Sequence, residues 1–413
     1  MILTYYIFIV FLIYRKLFKR NDGMKANPGG YIPPKDVVGR DELIQRLWRI
    51  LERQSLILCS ERRMGKTSII KKMIAEAPKD KFLPVFRDLE GVKTPLEFVR
   101  EVINDVYEYL SRLGKATKKL DSFLTKIGKT KFGGVIELDI SISHWKDLLT
   151  NTIEDLVENQ AHTVILFWDE LPVMLYDIKK NNNENLAIEI LDTLRSLRQM
   201  HSELRMVFTG SIGIHNVITS LKRAGSTNDP TNDMYTEEIL PLSPEFAQEL
   251  AQRLLDGEGI KTDSVQATTK AIAEAIDGNA YYIHHVVDQM AKRKDQGVTE
   301  NKKTVDEIVN TCLTDPLDRW HMNHYYERVS SYYTEQEQPL VLGLLDILAT
   351  SDQPIRLDDL FNLLKSRIVT EDKEKIRNIL TLLRRDHYVS LMSDGTYEFR
   401  FPLIKRWWRM NRG

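Results

Sequence analysis

Residues 55–68 constrain the fold more than any other stretch of the chain. Leu56, Ile57, Leu58 and Cys59 form a short apolar run of the kind that makes a buried parallel strand. The run turns polar at Ser60-Glu61-Arg62-Arg63 and continues through Met64 into Gly65-Lys66-Thr67-Ser68. Ile69, Ile70, Met73 and Ile74 then share one helical face. Strand, loop and helix in this order predict a parallel α/β sheet with the loop at the strand's C-terminal edge.

The same order suits anion binding. Backbone N–H groups at a helix N-terminus point at the ligand, and the helix dipole favours negative charge there. Lys66 is placed to reach the β- and γ-phosphates of ATP, and the Thr67 hydroxyl to ligate Mg²⁺. The residues predicted to hold the nucleotide here are Ser60, Arg63, Met64, Gly65, Lys66, Thr67 and Ser68. A phosphate loop of the Walker A pattern begins with Gly, and Ser60 stands at that position. Glu61 beside it would repel phosphate if it faced inward. Both are expected at the outer bend, turned away from the anion.

A second run supports the first. Val164 to Trp168 is apolar and ends in Asp169-Glu170. In a doubly wound sheet, that strand end faces the ligand crevice. Asp169 is expected to hold Mg²⁺ through its hydration shell, and Glu170 to orient and deprotonate the attacking water. A further strand, Leu204 to Ser211, ends in hydroxyls; Ser211, or failing it Thr209, is placed to sense the γ-phosphate or the attacking water. The expected catalytic set is Glu170, Lys66 and Ser211, with Thr67 and Asp169 at the metal.

The remaining chain narrows the class. Formal net charge is −1 over 413 residues, so no global field draws the chain to nucleic acid or membrane. Cys59 and Cys312 lie far apart in sequence, which suits a reducing cytoplasm better than a disulfide framework. His321 and His324 share a helical spacing without further ligands. Met1 to Tyr14 is apolar and is followed by Arg15-Lys16-Leu17-Phe18-Lys19-Arg20. Two readings stay open for this extension, residues 1–23. One is a weak membrane anchor through residues 1–20 that leaves the remainder in the cytoplasm. The other is sequence upstream of a start at Met24.

Further elements follow from periodicity. Phe82–Asp88 reads as a strand, and Thr94–Leu113 as a helix. Lys115–Lys131 reads as a basic surface helix, Val135–Ile142 as a half-exposed strand and His144–Val157 as a helix. Lys179–Asn185 reads as a polar loop, Leu186–Met200 as a helix, and Glu237–Leu242 as an edge-like strand. From Ser243 the pattern is helical alone. After about Ser331, three helices, two strands around Ser393-Asp394-Gly395 and a closing helix with Trp407 and Trp408 make a winged-helix pattern.

Together these segments resemble the AAA-like ATPases of the STAND type, related to archaeal-type ATPases and origin-recognition ATPases. The resemblance rests on Val38-Gly39-Arg40, the Arg-Arg-Met-Gly-Lys-Thr-Ser loop, the Phe-Trp-Asp-Glu strand end, Thr-Gly-Ser-Ile-Gly after the later strand and the terminal winged helix. It implies ATP binding and hydrolysis used as a switch, with Val37 and Val38 lining the adenine pocket. The family usually has Gly at Ser60 and often has Gly-x-Pro where this chain has Gly278-Asn279-Ala280. Arg223 is the arginine considered for a finger role.

The expected architecture is an α/β P-loop core over residues 24–242, an all-α lid over 243–330 and a winged helix over 331–413. The expected function is a Mg²⁺-dependent ATPase switch that engages a partner protein through the helical and winged-helix modules, with an oligomer compatible. The alternative is an ATP-dependent DNA-binding protein of the replication-initiator or regulator type, reading DNA through the winged helix. Basic and acidic residues nearly balance beyond Ser331, which favours the protein partner, because a phosphate-gripping surface is more one-sided.

Overall fold

A computed structural model describes residues 23–112, 144–159, 161–181, 184–210, 214, 216–218, 229–294 and 297–413. The helix expected at Lys115–Lys131, the strand expected at Val135–Ile142, Ser211, Arg223 and almost all of the N-terminal extension lie outside the described residues. Among the described residues, no helix is long and apolar enough to cross a membrane.

The chain divides into two compact units. One comprises Arg40–Leu240 and Arg377–Val389. It is built on a five-stranded parallel sheet of β1 (Leu56–Cys59), β2 (Phe82–Asp88), β3 (Thr163–Asp169), β4 (Leu204–Thr209) and β5 (Tyr235–Glu238). The spatial order is β2-β3-β4-β1-β5, so the loop-bearing strand lies between the last two in sequence. Pro84 sits in β2, an edge strand, where a missing N–H is tolerated. Val164 to Trp168 of β3, flanked by β2 and β4, are buried throughout, as their unbroken apolar run requires.

Helices α1 (Asp41–Leu51), α2 (Lys66–Ala75), α3 (Pro95–Arg112), α4 (Trp145–Glu158), α5 (Leu171–Asn181) and α6 (Glu184–Met200) belong to the same unit. On α1, Ile44, Leu47, Trp48 and Leu51 are buried on one side, and Trp48 stacks on Phe82 with ring centroids 5.0 Å apart. Trp168 anchors the main core, edge-on to Phe98 at 5.2 Å and stacked on Phe208 at 6.0 Å. Part of the stretch expected as a polar loop, Lys179–Asn185, is helical instead: α5 runs to Asn181. Its buried Leu171, Met174, Leu175 and Ile178 recur at helical spacing, and this apolar stripe carries the polar end along with it.

The other unit comprises Met1–Gly39, Pro241–Ile376 and Ser390–Gly413, as far as these are described. It holds α7 (Pro244–Glu258), α8 (Val265–Ala275), α9 (Ala280–Arg293) and α10 (Lys302–Leu313). Asn301 and Thr304 form a reciprocal capping box at α10. Asn279 Oδ1 accepts from Tyr281 N at 3.0 Å and caps α9. Ala280 is therefore the first helical residue, a position where Pro is also accommodated, so the departure from Gly-x-Pro preserves the helix start.

Helices α11 (His324–Tyr332), α12 (Gln338–Thr350) and α13 (Leu357–Lys365) follow, then α14 (Lys373–Arg385) and α15 (Pro402–Arg412). A small sheet orders β6 (Ile355–Arg356), β8 (Thr396–Phe399) and β7 (Val389–Leu391). Trp408 Nε1 donates to Asp346 Oδ1 at 2.7 Å, which fixes α15 on α12. Leu403 N, in the first turn of α15, donates to Asp277 Oδ2 at 2.8 Å. That carboxylate, held just before α9, thus serves a helix N-terminus remote in sequence.

Candidate functional site

The site grows from the loop between β1 and α2. Gly65 precedes α2 with φ 87°, a left-handed conformation that Gly adopts without strain. A Cβ placed on Gly65 would meet nothing within 4 Å, so open space lies in front of the helix start. Gly65 brings no side-chain cap to α2. Open space before first-turn N–H groups fits a phosphate.

Lys66 is 7% exposed. Its Nζ donates to Ser60 Oγ at 2.9 Å, to Ser60 O at 3.3 Å and to Glu61 O at 3.3 Å. Ser60 and Glu61 do not form an exposed outer bend: they are 8% and 2% exposed. A buried ammonium needs nearby acceptors, and the loop's own oxygens fold inward to supply them. Ser60 Oγ donates in turn to Glu61 O at 2.8 Å. Glu61 Oε1 accepts from the next amide, Arg62 N, at 2.7 Å.

Asp169 is the hub of the opposite side. It is 3% exposed. Its Oδ2 accepts from Thr67 Oγ1 at 2.6 Å, and its Oδ1 from Thr209 Oγ1 at 2.6 Å and from Glu170 N at 3.2 Å. Residues far apart in sequence meet here because β3, β4 and β1 are neighbours. The register pairs Trp168 with Phe208 and Leu58 with Thr209, so the three strand ends align. A hydroxyl and a carboxylate converging at one point are hard oxygen donors suited to Mg²⁺. Among the described residues, no three His, Cys, Asp or Glu converge on a metal position. A cation here would take its other ligands from phosphate and water, as Mg²⁺ commonly does.

Glu170 follows Asp169 with φ 57°, unusual for a residue with a side chain. Its carbonyl accepts from Val173 N at 3.0 Å and Met174 N at 3.1 Å, so the residue turns the chain from β3 into α5. Its Oε2 lies 3.3 Å from where a Cβ on Gly210 would sit, at the end of β4.

The other expected residues are distributed as follows. Met64 is buried, Ser68 half-buried and Thr67 exposed. Arg63 has φ 69° and helps turn the loop. Val37 and Val38 belong to the other unit, with Val38 buried. Thr209, the second choice by sequence, is the hydroxyl held against Asp169. The strand register, which sequence alone does not supply, is what brings Thr209 to Asp169.

No protein-family profile and no curated protein matches the sequence. Solved structures do resemble it. The Walker-type ATPase PABY2304 of Pyrococcus abyssi is 15% identical, with a TM-score of 0.62 over 94% of this chain and 99% of that one. The ORC2 protein of Aeropyrum pernix, solved as ADPNP–ADP complexes, is 12% identical, with a TM-score of 0.55 over 90% of this chain and 92% of that one. At these identities the likeness is one of fold alone: a parallel α/β core and a largely helical remainder.

Proposed function

We propose that the chain binds ATP with Mg²⁺ and hydrolyses it, and that the cycle switches its conformation to engage a partner protein. The observation that carries this reading is the convergence of Thr67 and Thr209 on Asp169, on the same sheet edge as the Lys66 loop. The P-loop ATPase fold and the adenine nucleotides named for the Aeropyrum pernix protein agree with it.

The residue roles follow from chemistry. Lys66 places a positive charge on the β- and γ-phosphates. The α2 N-terminus, from Gly65 to Ser68, binds phosphate oxygens through backbone N–H groups. Thr67 and Asp169 hold Mg²⁺, which when bound offsets the negative charge on the phosphates. Glu170 accepts a proton from the attacking water. Ser211 or Thr209 senses the terminal phosphate.

A route for the switch exists inside the core unit. Asn216 Nδ2 donates to Asp386 Oδ1 at 2.6 Å, and His387 Nδ1 lies 3.0 Å from Glu238. Residues just beyond β4 and at the end of β5 thus hold the segment that follows α14, so a shift at those strand ends bears on it directly. We assign residues 331–413 a winged-helix arrangement from its helices and hairpin. Protein is the favoured partner, because several of its basic residues are already engaged. Arg409 meets Asp352 at 3.0 Å, Arg412 meets Asp346 at 3.1 Å, and Lys365 meets Glu371 at 2.7 Å.

The test is calorimetric titration of ATP and Mg²⁺ into the native chain and Lys66→Ala. Removing one partner of a charge pair weakens binding by about 100-fold. Equal affinity in the two proteins, or no binding by the folded native chain, refutes the reading. Tight duplex-DNA binding that falls steeply with salt would favour the DNA-binding alternative over the protein partner.

A further inference from the structure

Ser60 does more than occupy a position that Gly usually fills. Its single hydroxyl proton is directed to Glu61 O at 2.8 Å, which turns its lone pairs towards Lys66. Lys66 Nζ makes its shortest contact of the three with that hydroxyl, at 2.9 Å against 3.3 Å for the two carbonyls. Glycine could supply the carbonyl at position 60 but not the hydroxyl. The hydroxyl contact to the ammonium is therefore one that Gly at this position could not make. An ammonium has three N–H donors, and three oxygens of residues 60 and 61 face it. All of this is buried, where a charge-assisted hydrogen bond is strong.

We infer that the Ser60 hydroxyl is a positioning group that holds the Lys66 ammonium back in the loop and competes with the phosphates of an incoming nucleotide for it. The inference rests on the nucleotide-binding reading above and deepens it. Phosphate oxygens must draw at least one N–H away from the loop, and the Ser60 hydroxyl makes that exchange harder. Nucleotide affinity is thereby set lower than the same loop would give with Gly or Ala at position 60. The competition acts only on ligands that carry phosphates.

The test measures ATP, ADP and adenosine binding to the native chain, Ser60→Ala and Ser60→Thr, by calorimetry for the nucleotides and ligand-observed NMR for adenosine. Ser60→Ala should bind ATP and ADP about tenfold tighter, the effect of one hydrogen bond to a charged group. Its adenosine affinity should not change. Ser60→Thr restores a hydroxyl and should bring nucleotide affinity back towards that of the native chain. Weaker or equal ATP binding in Ser60→Ala, with the native chain binding ATP, overturns the inference and leaves the nucleotide reading standing. A parallel change in adenosine affinity overturns it too, because a general loosening of the loop then explains the result. Binding by Ser60→Ala where the native chain binds too weakly to measure supports it. No ATP binding by any of the three folded proteins removes both the inference and the reading beneath it.

Discussion

Thr209 donates its hydroxyl to Asp169 Oδ1 at 2.6 Å, while Thr67 engages the other carboxylate oxygen at the same distance. One carboxylate is thus fixed at once from the end of β4 and from the first turn of α2. These two hydroxyls set its orientation, as the partners of a carboxylate must for the Mg²⁺ site we propose. Thr209→Val keeps the shape and removes the donor. Hydrolysis should fall by about 10- to 100-fold, and the Mg²⁺ concentration for half-maximal rate should rise. ATP affinity should change little. Phosphate-release assays over a Mg²⁺ series check this; an unchanged Mg²⁺ dependence would take Thr209 out of the positioning role.

That pair also shows how far the sequence reaches. Apolar runs ending in Cys59, Asp169 and Thr209 mark buried strands, because a strand covered on both faces must be apolar along its length. The turn from β1 into α2 and the acidic end of β3 are legible for the same local reason. The meeting of Thr209 with Asp169 depends on register, which long-range pairing fixes. The inward fold of Ser60 and Glu61 follows from the demand of a buried Lys66 for oxygen, a tertiary effect that a loop's polarity hides. The polar end of α5 is misleading likewise, since Lys179 and Lys180 follow a stripe of buried residues rather than begin a loop.

Gly210 is constrained by contact. A Cβ there would lie 2.7 Å from Pro172 Cδ and 3.0 Å from Pro172 Cγ. The ring cannot swing away as a flexible side chain would. Gly210→Ala should therefore destabilise the core unit by about 1–3 kcal/mol, the usual range for overpacking. It should also disturb Glu170, whose Oε2 shares that space. Denaturation midpoints and hydrolysis rates should both fall; unchanged stability would show that Pro172 yields freely.

Buried His284 and half-buried Asp277 in the other unit oppose each other with pH. Burial lowers the pKa of His284 from 6.5 to about 4, partly offset by Asp36, and its Nδ1 accepts from Asn27 N at 3.2 Å. The unfolded chain takes up this proton below about 6.5, whereas the folded chain refuses it until about 4. Stability from His284 is therefore full above 6.5 and lost as pH falls to 4. Burial raises Asp277 from 3.8 to about 6, against the opposing Leu403 N–H. Here the folded chain holds the proton more tightly, so stability is lost as pH rises from 3.8 through 6. Denaturation midpoints should thus depend weakly on pH in the native chain between 4 and 6. Asp277→Asn removes one arm and should make the acid loss steeper; His284→Gln should reverse the slope. Identical profiles for all three proteins would rule out these shifts.

Glu170, the general base of the proposed reaction, also carries a strained backbone, and two substitutions separate the two. Its φ of 57° costs a residue with a side chain about 1–2 kcal/mol relative to Gly. Glu170→Gln keeps that strain and the side-chain shape but removes the base. Hydrolysis should drop by about 10²- to 10⁴-fold, as loss of a general base does. ATP affinity should hold, because the water contact matters mainly in the transition state. Stability should stay near that of the native chain. Glu170→Gly also abolishes hydrolysis, yet it relieves the backbone and should raise the denaturation midpoint. The trapped ATP-bound form of Glu170→Gln should retain a partner protein that Lys66→Ala loses. Loss of ATP affinity in Glu170→Gln equal to that in Lys66→Ala would place Glu170 in binding rather than catalysis. Undiminished hydrolysis would remove it from the reaction altogether, and the strain at this turn would then belong to the β3–α5 connection alone.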